Sequence, residues 1–257
     1  MNPLLMTAAV TLLYMIVFFL VAQILRDNSI VDIAWGGGFI FVACVTLLAG
    51  GVFTARQLLT TALVTLWGVR LAAHILIRKW GKGEDFRYRA FRESWKGNFF
   101  LKSLIYIFLF QGVLLLIVSA PILVINTDPA PGLKLLDLAG TGIWLFGFLF
   151  ETIGDVQLMR FKSRPGSRGR IMTEGLWRFT RHPNYFGEAV LWWGISVIAL
   201  SVKWGWIALV GPLTISLLLL RVSGIPMLEK KYEGNREFEE YKKRTGAFLP
   251  WFPKAGR

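Results

Sequence analysis

Residues 3–25 read PLLMTAAVTLLYMIVFFLVAQIL and contain no charged side chain. A helix needs about 20 predominantly apolar residues to cross the hydrocarbon core of a bilayer, so this run predicts a membrane-spanning helix. It lacks a basic segment before the apolar run and an obvious small-residue cleavage site, which favours a retained helix over a signal peptide. Six further spans are predicted at residues 29–50, 54–77, 100–125, 136–155, 185–202 and 204–222.

The composition agrees with this interpretation. Of the 257 residues, 54% are hydrophobic and only 18% are charged, whereas soluble domains carry about 25% charged residues. Such a chain is neither disordered nor collagen-like. It is also not a disulfide scaffold, because its single cysteine, Cys44, cannot form an internal bridge.

The net charge of +13 has two interpretations until the charges are placed along the chain. In a soluble protein it would indicate nucleic-acid binding, whereas in a membrane protein basic residues mark the cytoplasmic side. If seven spans alternate, 25 of the 29 Lys and Arg residues fall on the side of the C-terminus. The sequence therefore predicts an all-α integral membrane protein without a nucleic-acid partner. The predicted architecture is a seven-transmembrane helix bundle that forms one membrane domain over residues 1–257. The N-terminus is expected outside and the C-terminus in the cytoplasm.

A few ionisable side chains fall inside the apolar spans, where burial is costly unless the group is paired or hydrated. They are candidates for function, and structural ion pairing is the alternative. Asp32 lies in the stretch IVDIAWGGGF, and three consecutive glycines in a helix indicate close approach of another helix or of a ligand, both of which remain open. The ionisable residues in the spans are Asp32, Arg70, His74, Glu151, Asp155 and Glu188.

The segment from Glu151 to Glu188 has the highest density of polar residues. Between positions 160 and 178 it carries arginines and a lysine opposed only by Glu174. Arginine side chains suit bidentate phosphate binding, and attraction to anionic lipid headgroups is the alternative. The interleaved glycines, tryptophans and His182 favour a specific anion site. The chain has no GxGxxG or P-loop spacing and no cluster of residues with metal-ligand spacing.

The sequence resembles the steroid 5-alpha-reductase-like membrane proteins, in particular their bacterial DUF1295 branch. The motifs that carry this resemblance are RHPNYFGE at residues 181–188, SGIPMLEKKY at 223–232 and EEYKKRTGAFLPWFP at 239–253. The resemblance implies a seven-helix bundle that uses NADPH to reduce the carbon–carbon double bond of an enone, typically a 3-oxo-4-ene steroid. It is strongest over 140–253, the expected NADPH-binding region, and weaker over 26–90, the expected substrate-side helices.

The resemblance also implies roles for individual residues. Asp32 matches the substrate-side carboxylate of the family, and the family tyrosine that helps to polarise the ketone falls at Trp67. The expected catalytic residues are Asp32, Trp67 and His74. The expected cofactor-binding residues are Arg70, Glu151, Asp155, Lys162, Arg164, Arg168, Arg170, Arg181, His182, Asn184, Tyr185, Glu188, Trp192, Arg221 and Tyr241.

Hydride addition to an enone needs a donor that stabilises the enolate oxygen. The expected donor is a protonated Asp32, helped by Trp67 or His74, while solvent or Tyr185 supplies the proton to the α-carbon. Two other functions remain open: an S-adenosylmethionine-dependent methyltransferase of the isoprenylcysteine or phospholipid type, and a non-enzymatic sterol- or lipid-binding membrane protein. The expected location is the bacterial inner membrane among membrane lipids, with the cofactor site facing the cytoplasm and no metal.

Overall fold

The computed structural model describes residues 3–95, 97–167 and 169–253, and every regular element within these ranges is helical. Apolar runs form the long helices, and residues with a left-handed backbone conformation end the first two. Arg26 has a positive φ of 52° directly after the first helix, and Gly51 is left-handed after the second. The α-helices are α1 (Pro3–Leu25), α2 (Ile30–Gly50), α3 (Ala55–Lys79), α4 (Phe86–Ser94), α5 (Phe99–Lys102), α6 (Phe110–Val118), α7 (Ala120–Asn126), α8 (Leu135–Lys162), α9 (Pro183–Ala199), α10 (Val210–Leu217), α11 (Ile225–Lys230) and α12 (Arg236–Arg244).

Shorter helical segments complete these elements. A π-helical segment joins α5 to α6, a second one extends α10, and single 3₁₀ turns precede α9 and α10. These segments are Ser103–Leu109, Leu218–Val222, Gly175–Arg178 and Gly205–Leu209.

Six helical segments in the described part of the chain are long and apolar enough to cross a membrane, by length and composition. They correspond to six of the seven predicted spans and confirm a helical membrane protein. The sixth predicted span forms α9, which has 17 residues and lies at the lower limit of spanning length. The six segments are Leu4–Leu25, Ile30–Gly50, Ala55–Lys79, Phe99–Val118, Leu135–Lys162 and Gly205–Lys230.

The fourth span differs in detail from its prediction. The sequence predicts one helix over 100–125, whereas the α-helical run ends at Val118 and a separate α7 begins at Ala120. Pro121 lies in the first turn of α7, where its missing N–H costs nothing, and it favours a new helix start at this point.

The chain divides into two compact units. The first comprises Met1–Lys134 and Ala199–Gly211, and the second comprises Leu135–Ile198 and Pro212–Arg257. The predicted substrate-side region, residues 26–90, lies within the first unit. Most of the predicted cofactor residues lie in the second unit.

In the first unit, α2 packs closely against its neighbours through the three glycines at 36–38. A Cβ on the first would lie 2.8 Å from the carbonyl oxygen of Gly68 on α3, and one on the second would lie 2.8 Å from the hydroxyl of Tyr14 on α1. A Cβ on the third would collide with Leu115 on α6. Among the two readings of these glycines, the structure supports close approach of other helices, because each one faces a different helix.

In the second unit, α8 and α9 contact each other through glycines spaced seven residues apart. A Cβ on Gly140 would lie 2.6 Å from the carbonyl oxygen of Gly194, and one on Gly147 would lie 2.6 Å from that of Gly187. A Cβ on Gly154 would meet the first turn of α9 at Pro183. Seven residues make about two helical turns, so these glycines form one stripe that brings the two backbones together. We call this contact the glycine seam.

Candidate active site

Asp32 lies in the first turn of α2, and both of its carboxylate oxygens accept hydrogen bonds from α4. Arg87 Nη2 donates to Oδ2 at 2.6 Å, and the Tyr88 hydroxyl donates to Oδ1 at 2.6 Å. The Asp32 side chain is 19% exposed and that of Arg87 25% exposed, whereas Tyr88 is buried. We call Asp32, Arg87 and Tyr88 the Asp32 cluster.

The geometry of the Asp32 cluster differs from the sequence-based expectation for the role of Asp32. The sequence-based hypothesis is a protonated Asp32 that donates a hydrogen bond, whereas in the structure Asp32 accepts hydrogen bonds from Arg87 and Tyr88. The reason is the pairing with Arg87. Sequence reasoning placed Arg87 only among the basic residues of a cytoplasmic loop.

Arg87 is positioned by a second carboxylate. Asp85 caps the N-terminus of α4 by accepting from the Arg87 backbone N–H, and it also accepts from Arg87 Nε at 2.9 Å. Burial opposes the charge of Arg87, but the Asp32 and Asp85 carboxylates raise its pKa above the ordinary value, so it stays charged. The same contacts with Arg87 lower the pKa of Asp85 in spite of its burial.

Tyr88 holds the Asp32 carboxylate through its hydroxyl group. Burial, followed by the negative charge of Asp32, raises the pKa of Tyr88 well above its usual value, so its hydroxyl remains protonated. Gln111 also hydrogen-bonds to Tyr88 through its side chain. Asp32, Tyr88 and Gln111 therefore form a chain of hydrogen bonds that joins α2, α4 and α6.

Further ion pairs hold α4 against the turn between α1 and α2. Glu84 accepts from Arg92 at 2.9 Å and from the backbone N–H of Asn28 at 2.9 Å. The same turn is linked to α3 by the ion pair between Asp27 and Lys79, at 2.6 Å. This anchoring explains why the loop helix reaches Asp32.

The remaining predicted residues of this unit lie on α3. Trp67 is fully buried and packs edge-to-face against Phe39 of α2, with ring centroids 5.4 Å apart. Arg70 and His74 are half-buried. They follow Trp67 by three and seven residues, so all three lie on one face of α3.

In the second unit, the glycine seam places several acidic and polar side chains in a buried environment. Glu151 and Asp155 of α8 are 2% and 6% exposed, and Glu188 of α9 is 8% exposed. A Cβ on Gly187 would collide with Glu151, and one on Gly154 would lie 3.3 Å from the backbone nitrogen of Asn184. The seam therefore brings the predicted residues of the two helices together.

The side chain of Asn184, in this seam, has an unsatisfied hydrogen-bond acceptor. Its Oδ1 atom is buried and accepts no hydrogen bond from any residue in the described ranges. An unsatisfied buried acceptor costs about 1–3 kcal/mol, so this atom is suited to a ligand that brings an N–H donor. Trp192, two turns along α9, is buried on the same face.

The predicted phosphate-binding residues lie beyond the C-terminal end of α8 and are exposed. Arg164 and Arg170 line a cleft of about 190 Å³, together with Ser167 and Glu237. Arg164 also pairs with Glu174 at 2.9 Å. Lys162 is exposed in the last turn of α8, and Arg168 lies outside the described residues.

Two predicted cofactor residues are engaged with Glu229 of α11. Arg181 binds both Glu229 oxygens, at 2.8 and 3.1 Å, and His182 Nε2 lies 3.0 Å from Oε1. Arg181 Nη1 also donates to the carbonyl of Thr245 at 2.6 Å. Tyr185 stacks on His182, with ring centroids 5.6 Å apart. These contacts hold the C-terminal segment against the RHPNYFGE element.

Tyr241 also holds the C-terminal segment in place, because its hydroxyl donates to the carbonyl of Trp177. Burial raises its pKa. Arg221 is exposed in the π-helical turn after α10. The structure therefore groups Arg164 with Arg170 in one cleft, and it places Arg181 and Tyr241 in contacts within the protein.

Comparison with known proteins gives matches of two kinds. The family model described as "Protein of unknown function (DUF1295)" matches residues 18–245. The protein named 3-oxo-5-alpha-steroid 4-dehydrogenase 1 from Bos taurus is 31% identical over 115 residues, which are 44% of this chain and 41% of that protein. Its human counterpart is 36% identical over 67 residues, 26% of each chain.

The aligned region thus spans less than half the length of these relatives. No solved structure matches the chain significantly.

Proposed function

Because the chain belongs to the DUF1295 family, a steroid 5-alpha-reductase-like family of membrane proteins, we propose that it is a membrane-embedded, NADPH-dependent oxidoreductase. Its reaction reduces the C=C bond of an enone, as in a 3-oxo-4-ene steroid or a similar lipid. The observation that carries this proposal is the buried polar seam of α8 and α9, with an arginine-lined cleft in the same unit.

The residues of the second unit fit a reduced dinucleotide. Asn184 Oδ1 is a buried acceptor without a donor among the described residues, and it would accept from a carboxamide N–H such as that of nicotinamide. Arg164 and Arg170 would hold phosphate groups, for which arginine is the preferred side chain. Glu151, Asp155 and Glu188 would bind hydroxyl and amine groups. When bound, NADPH supplies a hydride.

On the substrate side, the Asp32 cluster would bind the carbonyl end of the enone. The long apolar helices supply surroundings in which the electrostatic effect of a few polar groups is strong. Half-buried aromatic side chains of α2 would contact the apolar body of the substrate, and the fully buried Trp67 would support them from α3. His74 and Arg70 are the further polar residues that α3 would contribute.

Titration of the purified protein with nucleotides tests this function. NADPH should raise the thermal unfolding midpoint, because a ligand that binds only the folded state stabilises it. Arg170→Ala should weaken NADPH binding about tenfold and NADH binding by less than about threefold, if Arg170 binds the 2′-phosphate.

S-adenosylmethionine serves as the comparison ligand in this titration. Stabilisation by S-adenosylmethionine and not by NADPH would establish the methyltransferase alternative. Stabilisation by neither nucleotide, together with binding of sterol, would favour the lipid-binding alternative. An equal loss of NADPH and NADH binding in Arg170→Ala would remove Arg170 from the 2′-phosphate site.

We also propose seven spans in the bacterial inner membrane, with the N-terminus outside and the cofactor residues on the cytoplasmic side. The support is the concentration of basic residues on one side. A C-terminal fluorescent-protein fusion, which matures in the cytoplasm, should fluoresce, and a C-terminal alkaline phosphatase fusion should be inactive. An active phosphatase would place the C-terminus outside and exclude this topology.

A further inference from the structure

We propose that Arg87 donates the hydrogen bond that stabilises the substrate carbonyl oxygen when it becomes an enolate. This inference rests on the proposed reductase function and assigns one of its steps to Arg87, which lies outside the three sequence motifs that carry the resemblance. It follows from the distribution of hydrogen bonds in the Asp32 cluster, taken donor by donor.

The other polar groups of the cluster have no donor to offer in this arrangement. Both oxygens of Asp32 are acceptors, one from Arg87 and one from Tyr88. Tyr88 has a single hydroxyl hydrogen, which it donates to Asp32, and its side chain is buried. Trp67 is fully buried behind the aromatic contact with Phe39. None of these side chains presents a hydrogen to a ligand that reaches Asp32.

Arg87 does present hydrogens to such a ligand. A guanidinium group has five N–H donors. Nε donates to Asp85 and Nη2 donates to Asp32, whereas Nη1 has no hydrogen-bond partner among the residues that the structure describes. A quarter of the side-chain surface is exposed. The two carboxylates fix the plane of the guanidinium, so the orientation of Nη1 is set before a ligand arrives.

The charge of Arg87 suits the chemistry of the step. When bound, NADPH would supply a hydride to the β-carbon of the enone and become NADP⁺, and the π electrons of the double bond would move onto the carbonyl oxygen. Arg87 keeps its protons and stabilises this oxygen by a charge-assisted hydrogen bond. The α-carbon would then take a proton from water, which becomes hydroxide, and this transfer would complete the reduction. The guanidinium is charged at any working pH, so this role does not need a protonated Asp32.

In this arrangement Asp32, Asp85 and Tyr88 are positioning residues. Asp32 and Asp85 hold the guanidinium from two sides, and Tyr88 holds Asp32.

The test compares Arg87→Met with Arg89→Met in the full-length protein, with NADPH and androst-4-ene-3,17-dione as the probe substrates. Each variant removes one positive charge from α4, but the Arg89 side chain is exposed and donates to the carbonyl of Glu84 rather than to a carboxylate. Arg87→Met should lower kcat by at least about 100-fold, while the Kd for NADPH changes less than about threefold. Arg89→Met should keep both values within about threefold.

A second readout separates donation to the oxygen from a structural role. A steroid diene with a carboxylate at C3 mimics the enolate, and its binding can be measured without turnover. Arg87→Met should weaken its binding at least about 30-fold, and binding of the neutral dione by much less, because transition-state mimics report interactions that strengthen as charge develops.

If Arg87→Met folds poorly, Arg87→Lys replaces it. Lysine keeps the charge but cannot bind two carboxylates and a third acceptor in a fixed plane, so kcat should fall at least about tenfold. If the Arg87 variants keep the wild-type kcat and bind the steroid carboxylate as tightly as the wild type, this inference is overturned and the reductase function is left intact. A wild-type protein that neither binds NADPH nor reduces the dione would overturn the proposed function and, with it, this inference.

Discussion

Asp32 and Glu151 are both acidic residues within apolar helices, yet their surroundings are built differently. Glu151 lies beside glycines whose backbones are in direct contact, so its position follows from helix packing. Asp32 is held by side chains of α4, a nine-residue amphipathic helix that is itself anchored by ion pairs. The α8–α9 contact is therefore formed by closely packed backbones, whereas the Asp32 cluster is held together by charged side chains.

This difference predicts where substitutions will act. In the glycine seam an added atom must displace a backbone, so changes there affect the folding of the second unit. In the Asp32 cluster a changed side chain loses ion pairs that are partly exposed, and such pairs contribute little to stability. We expect variants of the cluster to fold and to lose chemistry, and variants of the seam to lose folding first.

The largest expected effect on stability is that of Gly187→Ala. Its new Cβ would lie 2.6 Å from the carbonyl oxygen of Gly147, and overpacking of this kind costs about 2–3 kcal/mol. Thermal unfolding of the purified protein in detergent should show a clearly lower midpoint. Gly142→Ala is the matched control, because a Cβ there meets nothing within 4 Å. It should be neutral or stabilising by up to about 1 kcal/mol. Equal midpoints for the two variants would refute the close seam.

A smaller effect is expected on the local stability of α4 when the pH is lowered. Although burial opposes it, contacts with Arg87 lower the pKa of Asp85 from its ordinary value of 3.8. Carboxyl groups with depressed pKa values stabilise the fold at pH values above the ordinary value, and this stabilisation is lost as the pH falls below it. Hydrogen-exchange protection of α4 should therefore decrease between pH 5 and about pH 3, before that of α9.

Asp85→Asn provides the control for this measurement. The variant lacks the titrating carboxyl group, so its α4 should start with lower protection at pH 5 and change less on acidification. An unchanged acid response in Asp85→Asn would show that another group anchors α4. Loss of protection in α9 at the same pH as in α4 would contradict the contrast between the two regions.

Much of the fold could be predicted from the sequence because the signal is local. Long apolar runs predict helices whatever they pack against, and six of the seven predicted spans correspond to the long helical segments. The cofactor roles of Glu151, Asp155, Asn184 and Glu188 stay predictions, and the structure shows that these residues lie along the α8–α9 contact. The seven-residue spacing of the glycines was visible in the sequence and would have predicted this contact.

The surroundings of Asp32 could not be predicted in this way. Sequence alone determined that a carboxylate lies in the first turn of an apolar helix and that three glycines follow it. Only the tertiary structure decided that these glycines face three helices and that Arg87 and Tyr88, 55 and 56 residues further along the chain, bind the carboxylate. The physical reason is that hydrophobic periodicity is a property of neighbouring residues, whereas an ion pair depends on how separate elements pack against each other.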